Sequence, residues 1–433
     1  MTTIYSARWV VPISAPPIEN GAVAVEGQYI AGVGPHSEIV ERFPEFRLEV
    51  LGEAVITPGF VNSHTHLELT AFRGYLEKEE TDFFAWLRKL TIARLERMTP
   101  DDIRVSATWG ACEAVRAGIT CIADASDSAM LSMLALRDVG LRGVVYQESF
   151  GPDPKLATEN FEKLKAKVHE LRGIENELVR AGVSPHAPYT VCRPQLEMIA
   201  DLAQTEQLPL MMHAAESEAE ELLLREGRGP FAEGLAKRSI EWNAPRISSI
   251  QYLKQVGILD TRPLLAHCIR VDDADIETLK ASEAKVAHCP KSNAKLGHGR
   301  APLAKFIERA VDVGFGSDSV ASNNTCDILE EARFAALLSR AGGARIDVED
   351  ALKTACGLLT EGAQADLTVV SLTGVHQTPS YDPMSTLIFA SSGRDVILTL
   401  VAGREVYRDG RVSNVDEDRL RARMNEISRG LHG

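Results

Sequence analysis

The chain has 433 residues, of which 45% are hydrophobic and 25% are charged. These ordinary proportions exclude disorder along the whole chain, a collagen-like repeat and a small disulfide-stabilised scaffold. The 47 lysine and arginine residues are outnumbered by 61 aspartate and glutamate residues, and the resulting net charge of −14 argues against nucleic-acid and anionic-membrane partners, which select basic surfaces.

Both ends of the chain are predicted to be rich in β-strand. Short apolar segments, separated by Gly and Pro, occupy residues 1–56, and the pattern returns in residues 357–433. We therefore expect the two ends to form one small β-sandwich domain. The segment after Ala355 is short for a connection between a helix and the final strands, which indicates either a deletion or a loop missing from the numbering.

Residues 57–356 alternate between short apolar runs and helical stretches, as in a parallel sheet covered by helices. Eight runs end in chemically capable residues: PGFVNSHTH, GITCIADAS, RGVVYQES, LVRAGVSPH, LPLMMHAAES, PLLAHCIRV, AKVAHCPKSN and VDVGFGSDS. Eight such strands predict an α/β fold, the (β/α)₈ TIM barrel, whose active site lies at the carboxyl ends of the strands. The sequence has no GxGxxG, P-loop or GxSxG motif to support dinucleotide, P-loop phosphate or serine-elbow chemistry.

Other features of the sequence concern the location of the protein in the cell. No window of 18 residues is apolar enough for a transmembrane helix, and the first residues lack the basic and apolar regions of a secretory signal. The seven cysteines are scattered and never spaced as CxxC, which is typical of reduced thiols in a cytoplasmic protein. We expect a cytoplasmic protein without a membrane partner.

Five residues at predicted strand ends have the chemistry of metal ligands. His64 and His66 end the first barrel strand, where residues i and i+2 face the same side. His213 and His267 end the fifth and sixth strands, and Asp318 follows the eighth. Imidazoles with one carboxylate suit Zn²⁺, with Fe²⁺ as a competitor. Because no lysine ends the fourth strand, no carbamylated lysine can bridge two ions, and one metal ion is expected.

Other residues near these strand ends are candidates for catalysis or binding. Glu216 lies three residues after His213 and is the candidate general acid or base, since hydrolysis at a ring carbon needs a proton carrier. His186, at the end of the fourth strand, is a candidate for hydrogen bonding to substrate. Roles in lining the pocket or fixing a loop stay open for His288, Asn293 and His298. Roles in the core or as a cover over a planar ring stay open for Phe83, Phe84 and Trp86.

The segments PGFVNSHTHLELTAFRG, HAAESE, AHC, HCPKSNAKLG and GSDS resemble the amidohydrolase superfamily, in the branch of cytosine, guanine and adenosine-type deaminases and triazine chlorohydrolases. This resemblance covers nearly the whole chain, and it implies a zinc or iron site on a TIM barrel flanked by a β-sandwich. By this likeness the metal ligands are His64, His66, His213 and Asp318. It also implies that Glu216 is the proton shuttle, that His267 orients water or the tetrahedral centre, and that Asp318 takes a proton from the attacking water.

Within that branch, the Leu-Glu after HTH, the FFAWL segment and SPHAPYT look most like the aminodeoxyfutalosine deaminases. They are also similar to methylthioadenosine and adenosylhomocysteine deaminases. The implied substrate is a small heterocycle, a 6-aminopurine nucleoside. Glu68 and Glu148 are candidates for binding sugar hydroxyls, and Arg73 and Arg88 are candidates for binding a benzoate carboxylate.

Two alternatives stay open for the function. A chlorohydrolase or a free-base deaminase of the guanine or cytosine type would keep the same site. A non-catalytic assembly protein on the same fold would have no need of metal ligands beside a proton shuttle. The sequence leaves the identity of the metal and the formation of a homodimer open.

Overall fold

The computed structural model describes residues 2–432, in which strands dominate both ends and alternate with helices between them. The strands are β1 (Thr2–Val10), β2 (Ile18–Glu26), β3 (Tyr29–Pro35), β4 (Arg47–Val50), β5 (Ala54–Pro58), β6 (Phe60–Thr65), β7 (Ile119–Ser126), β8 (Arg142–Ser149), β9 (Val179–Pro185), β10 (Met211–Ala214), β11 (Leu264–His267), β12 (Lys285–His288), β13 (Val313–Phe315), β14 (Leu367–Ser371), β15 (Val396–Val401), β16 (Arg404–Arg408) and β17 (Arg411–Val412).

Helices connect most of these strands. The α-helices are α1 (His36–Arg42), α2 (Phe83–Arg97), α3 (Pro100–Arg116), α4 (Ala129–Val139), α5 (Ala157–Arg172), α6 (Arg193–Thr205), α7 (Glu218–Glu226), α8 (Pro230–Lys237), α9 (Ser249–Gln255), α10 (Asp273–Ala281), α11 (Pro290–Lys295), α12 (Leu303–Glu308), α13 (Val320–Asn323), α14 (Ile328–Ala341), α15 (Val348–Ala355), α16 (Pro383–Ala390) and α17 (Glu417–His432). The 3₁₀ helices are Leu67–Phe72, Pro154–Leu156, Ile258–Thr261 and Gly393–Asp395. Within residues 2–432, no helix combines the length and the apolar composition that crossing a membrane requires.

Strands from both ends of the chain pair in one nine-stranded sheet. Its order is β17-β16-β15-β14-β5-β1-β2-β3, with β4 added beside β1. The two ends meet where β14 pairs antiparallel with β5. Because side chains alternate along a strand, Ala54 and Ile56 enter the core of this sheet, whereas Val55 packs into the core of the central strands and helices. The arrangement of the terminal strands as a sandwich stays a prediction.

Eight parallel strands in the middle of the chain form two four-stranded sheets, β6-β7-β8-β9 and β10-β11-β12-β13. A parallel bridge between Val183 and Leu210 connects the two sheets. At the other side, the amide of Asp318 donates to the carbonyl oxygen of His64 at 2.8 Å, so the end of the last strand lies beside the first. The result is a TIM-barrel-type α/β fold in two arcs, because no continuous ladder joins β13 to β6 in the described residues.

Helix α2 begins where a side chain satisfies its first amides. Oδ1 of Asp82 accepts hydrogen bonds from the amides of Phe84 and Ala85 at 3.0 and 3.1 Å, an N-cap that stabilises a helix start by about 1 kcal/mol. From this start the helix passes over the carboxyl ends of the central strands, where its inner residues line a cavity described below.

The connection from α15 to β14 is short and held at several points. Cys356 forms an antiparallel bridge with Phe60, and the amide of Leu359 donates to the carbonyl oxygen of Pro12 at 3.0 Å. The chain therefore passes from the last helix of the central part to the terminal sheet without a break, although the connection is short.

Candidate active site

The carboxyl ends of the central strands bring four potential metal ligands together. Nitrogen atoms of His64, His66 and His213 lie within 4.8 Å of one another. Oδ1 of Asp318 lies 3.5 Å from Nε2 of His64 and 3.7 Å from Nε2 of His66. Nε2 of His64 is buried and has no hydrogen-bond partner in the described residues. An orphaned imidazole nitrogen that faces two more imidazoles and a carboxylate fits a divalent ion such as Zn²⁺.

Neighbouring groups orient these ligands. Nδ1 of His213 donates to the backbone carbonyl of His186 at 2.8 Å, which directs Nε2 toward the other potential ligands, 3.2 Å from Nε2 of His66. Oδ2 of Asp318 accepts from the hydroxyl of Ser292 at 2.6 Å, and Oδ1 accepts from the amide of Ser319 at 2.7 Å. The carboxylate is therefore fixed in one orientation before a cation binds.

The protonation states of the site suit cation binding. Burial, and next the charge of His64, lowers the pKa of His66 to about 4, and burial also holds the pKa of His213 well below its usual range. Burial by itself would raise the pKa of Asp318, but the neighbouring imidazoles, that of His64 first, outweigh it and hold that pKa well below its usual range. Neutral imidazoles and an ionised carboxylate are the forms that ligate metals.

Two of these strand ends carry a non-glycine residue with positive φ. His267 has φ 75° and Asp318 has φ 57°, the left-handed region that non-glycine residues rarely adopt. Such residues cost on the order of 1–3 kcal/mol each and cluster at functional sites. The strain supports a functional role for both side chains.

Glu216 and His267 lie beside the four potential ligands. Oε1 of Glu216 is 3.7 Å from Nε2 of His267 and 3.6 Å from Nε2 of His298. Oδ1 of Asn293 lies 2.9 Å from Nδ1 of His267, which directs the other nitrogen of that ring toward Glu216. Oε2 of Glu216 accepts a hydrogen bond from the hydroxyl of Tyr189 at 3.1 Å. The Glu216 carboxylate thus lies among groups that can exchange protons.

A cavity of about 500 Å³ contains these groups, a size that suits a small organic molecule. Its polar lining includes His66, His213, Glu216, His267 and Asp318. Its apolar lining includes Leu69, Phe83, Trp86, Leu87, Leu90, Phe150, Tyr189 and Leu296. Two aromatic residues of the FFAWL segment, Phe83 and Trp86, therefore line the cavity, whereas the ring of Phe84 packs on Phe231 with centroids 4.6 Å apart.

The histidines and asparagine at and after the end of β12 separate into different roles. Asn293 contacts His267, and His298 lies near Glu216, as described above. His288 is buried and does not line the cavity, and burial lowers its pKa to about 3. The structure therefore places His288 in the core.

Three of the predicted substrate-binding residues line the cavity: His186, Glu68 and Glu148. Glu68 is already engaged, since its Oε2 accepts from Ser126 Oγ at 2.8 Å and from Arg94 Nη2 at 3.1 Å. Oε1 of Glu148 is buried without a hydrogen-bond partner in residues 2–432. Burial, and next the charge of Glu68, holds the pKa of Glu148 well above its usual range. Glu148 therefore keeps one oxygen without a partner, close to His186 and His213, whereas Glu68 is held in the pocket wall.

The two predicted carboxylate-binding arginines lie outside the cavity. Arg73 is exposed and pairs with Glu113. Arg88 lies on the exposed face of α2, because the helical period turns Trp86, Leu90 and other residues inward. Both arginines follow the first barrel strand in the sequence, but that proximity does not determine where their side chains point.

Two other arginines line the cavity instead, and the sequence interpretation missed them. Arg94 is neutralised by Glu68 and Asp127, at 3.1 and 3.2 Å. Arg238 follows α8, is exposed, and makes no ion pair with any residue from 2 to 432. Tyr189 was also missed, although the SPHAPYT motif that supplied His186 contains it.

Comparisons with known proteins agree on one family. Residues 55–406 match the Amidohydrolase family. The chain is 31% identical over 425 residues to a 5-methylthioadenosine/S-adenosylhomocysteine deaminase of Pelotomaculum thermopropionicum, with 93% of this chain and 92% of the relative covered. It is 30% identical over 435 residues to a 5'-deoxyadenosine deaminase of Methanopyrus kandleri, with 96% of each chain covered.

Solved structures share the fold over nearly the full length. An adenosine deaminase from Xanthomonas campestris with bound zinc has a TM-score of 0.86 and 25% identity, and covers 99% of this chain and 98% of its own. A triazine hydrolase variant has a TM-score of 0.86 and 22% identity, with 99% of each chain covered. Since the family match spans most of the residues that build the strands and the site, the chain belongs to the amidohydrolase family and is a hydrolase that acts on C–N bonds.

Proposed function

We propose that this protein is a metal-dependent deaminase that hydrolyses the 6-amino group of an adenine nucleoside and releases ammonia. The observation that carries the proposal is the convergence of His64, His66, His213 and Asp318 beside Glu216 in one cavity. The names of the full-length relatives, which are deaminases of adenine nucleosides, support the same activity.

The four ligand residues would hold one divalent ion, and zinc is the proposed identity because imidazoles with one carboxylate suit it and the Xanthomonas deaminase contains it. When bound, the ion would activate water for attack at neutral pH. The chain's own residues would handle the protons. The Asp318 carboxylate takes the proton of the attacking water, and Glu216 gives a proton to N1 of the purine as C6 becomes tetrahedral. His267 orients the reacting centre. Asp318 then gives its proton to the departing amino group, the hydroxyl proton of the tetrahedral centre returns to Glu216, and collapse expels ammonia and leaves a ring carbonyl.

The proposed first substrate is 6-amino-6-deoxyfutalosine, followed by methylthioadenosine and adenosylhomocysteine. Glu148 and His186 would bind sugar hydroxyls or the ring edge, since both line the cavity and one oxygen of Glu148 is unpartnered. Arg238 would bind the substrate carboxylate in place of Arg73 and Arg88. The long apolar wall of the cavity favours a nucleoside over a free base. The similarity to triazine hydrolases supports the shared fold and is no evidence for the same substrate.

This substrate assignment can be tested by comparing adenine nucleosides, guanine, cytosine and a chlorotriazine as substrates. The kcat/KM for ammonia release should be highest with the adenine nucleosides and at least about tenfold lower with guanine or cytosine. A free base lacks the sugar substituent, and losing its contacts costs more than about 1.4 kcal/mol of binding. Chloride release from a chlorotriazine should be absent or slower still. A preference for a free base or for the triazine would contradict the nucleoside assignment and leave a hydrolase with another substrate.

The Arg238→Met variant tests the carboxylate contact. Its kcat/KM should fall about fivefold for 6-amino-6-deoxyfutalosine, because an exposed ion pair contributes up to about 1 kcal/mol. For methylthioadenosine, which has no carboxylate, kcat/KM should stay unchanged. Arg88→Met is the matched control and should affect neither substrate. Equal effects of Arg238→Met on both substrates would show that Arg238 does not select for the carboxylate.

The remaining proposals concern the domains of the protein, its location in the cell and its partners. We propose residues 57–356 as the catalytic barrel, with residues 1–56 and 357–433 as a β-sandwich beside it. The seven cysteines are free thiols, which supports a reducing cytoplasmic location. A small heterocyclic molecule is the proposed partner, without nucleic acid or membrane, and size-exclusion chromatography with light scattering would distinguish a homodimer from a monomer.

A further inference from the structure

The carboxylate of Glu216 has two oxygens with different surroundings. Oε2 accepts a hydrogen bond from the hydroxyl of Tyr189 at 3.1 Å. Oε1 faces His267 and His298 at 3.7 and 3.6 Å, distances too long for a hydrogen bond. Within residues 2–432, no second side chain donates a hydrogen bond to this carboxylate. Tyr189 is therefore the group that distinguishes the two oxygens.

Tyr189 is itself held rigidly. Its side chain is 5% exposed, and its ring stacks on Phe231 with centroids 3.9 Å apart and an angle of 16° between the planes. Phe231 is buried in α8, so the phenol lies between the strand ends and a helix. Burial, and next the charge of Glu216, raises the pKa of the Tyr189 phenol well above its usual range. The hydroxyl consequently stays protonated and donates at neutral pH.

We infer that Tyr189 is a positioning residue that fixes the Glu216 side chain, so that Oε1 is the oxygen that carries the proton to and from the substrate. This inference rests on the proposed function, in which Glu216 is the proton shuttle. A glutamate side chain rotates about three bonds, and a general acid must lie within hydrogen-bond reach of the atom that it protonates. A hydrogen bond to one oxygen from a rigid ring limits that rotation and leaves the other oxygen directed at the histidine side of the cavity.

The Tyr189→Phe variant keeps the ring that lines the cavity and removes only the hydroxyl. Its kcat for the best adenine nucleoside should fall at least about tenfold, the usual loss for a hydrogen bond to a charged group. KM and the metal content should change less than about twofold, because neither the apolar wall nor the metal ligands are altered. Tyr252→Phe is the matched control, since Tyr252 is a buried tyrosine outside the cavity whose hydroxyl has no partner in residues 2–432. It should leave kcat unchanged.

A double-mutant cycle separates positioning from a general structural effect. In a Glu216→Gln background, adding Tyr189→Phe should change kcat less than about twofold, because glutamine has no transferable proton to position. An equal fall in both backgrounds, or an unchanged kcat in the single variant, would overturn the inference. Near-normal turnover by Glu216→Gln alone would instead remove the shuttle assignment of the proposed function, and the inference with it.

Phe231→Leu provides a second variant that keeps the hydroxyl but removes the ring on which Tyr189 stacks. If Tyr189 positions Glu216, this change should lower kcat by a smaller factor than Tyr189→Phe, and the loss should disappear in the Glu216→Gln background. A loss that persists in that background would argue for a packing effect. Thermal unfolding of each variant checks that the compared proteins are folded.

Discussion

Replacing His64 with alanine is expected to remove the metal and the activity together. His64 is fully buried, and its Nε2 faces the Asp318 carboxylate at 3.5 Å without a hydrogen-bond partner. Alanine would remove one of the four potential ligands and leave the Asp318 carboxylate without the buried imidazole that lies beside it, so the affinity for the ion should fall. Elemental analysis of the purified variant should find little metal, and ammonia release should fall to the background rate.

The wild-type protein provides the reference for that experiment. About one divalent ion per chain is expected, because the ligand set lacks a bridging lysine. His169→Ala is the matched control, since His169 is exposed on α5 far from the strand ends in sequence. It should keep both metal and activity. Two tightly held ions per chain, or a His64→Ala variant that keeps its ion, would contradict the assigned ligand set.

Replacing Glu216 with glutamine is expected to slow turnover by roughly 10²–10⁴-fold while the metal stays bound. Glutamine keeps the shape of the side chain and can still accept the hydrogen bond from Tyr189, but it cannot transfer a proton. The four metal ligands are untouched, so the metal content should equal that of the wild type. Single-turnover kinetics with an adenine nucleoside, together with elemental analysis, measure the two quantities in the same preparation.

Glu218→Gln is the control for that variant. Glu218 lies two residues further along the chain, but it is exposed and does not line the cavity, so its turnover should match the wild type. If Glu216→Gln instead turned over at a near-normal rate with metal bound, another residue would have to carry the proton, and His298 at 3.6 Å from Oε1 would be the first to examine.

The site residues and the cavity wall distinguish the alternatives that the sequence left open. A non-catalytic assembly protein would have no reason to keep an orphaned imidazole nitrogen and a carboxylate among histidines. Family membership makes the chain a hydrolase. A nucleoside deaminase and a chlorohydrolase would share the metal ligands and differ in the cavity wall. The comparison of nucleosides with a chlorotriazine tests which substrate this wall accepts.

The sequence alone predicted which strand ends bring the candidate site residues together. Histidines at the ends of apolar runs, and an aspartate after the eighth run, predicted a shared site because parallel strands present their carboxyl ends at one face. The period of two also predicted that His64 and His66 point the same way. These inferences needed only the order of the elements and the regular geometry of a strand, which short-range patterns specify.

The tertiary structure decided where the long side chains point and which partners they meet. Nothing in the spacing distinguished Glu68, which is held by Arg94 and Ser126, from Glu148, which keeps one oxygen without a partner. Arg73 and Arg88 lay near the first strand in sequence but not in the cavity. The hydrogen bond from Tyr189 to Glu216 joins residues from two different strand ends. Such contacts depend on rotamers and on how separate elements pack, and a sequence pattern specifies neither, since its information extends over only a few residues.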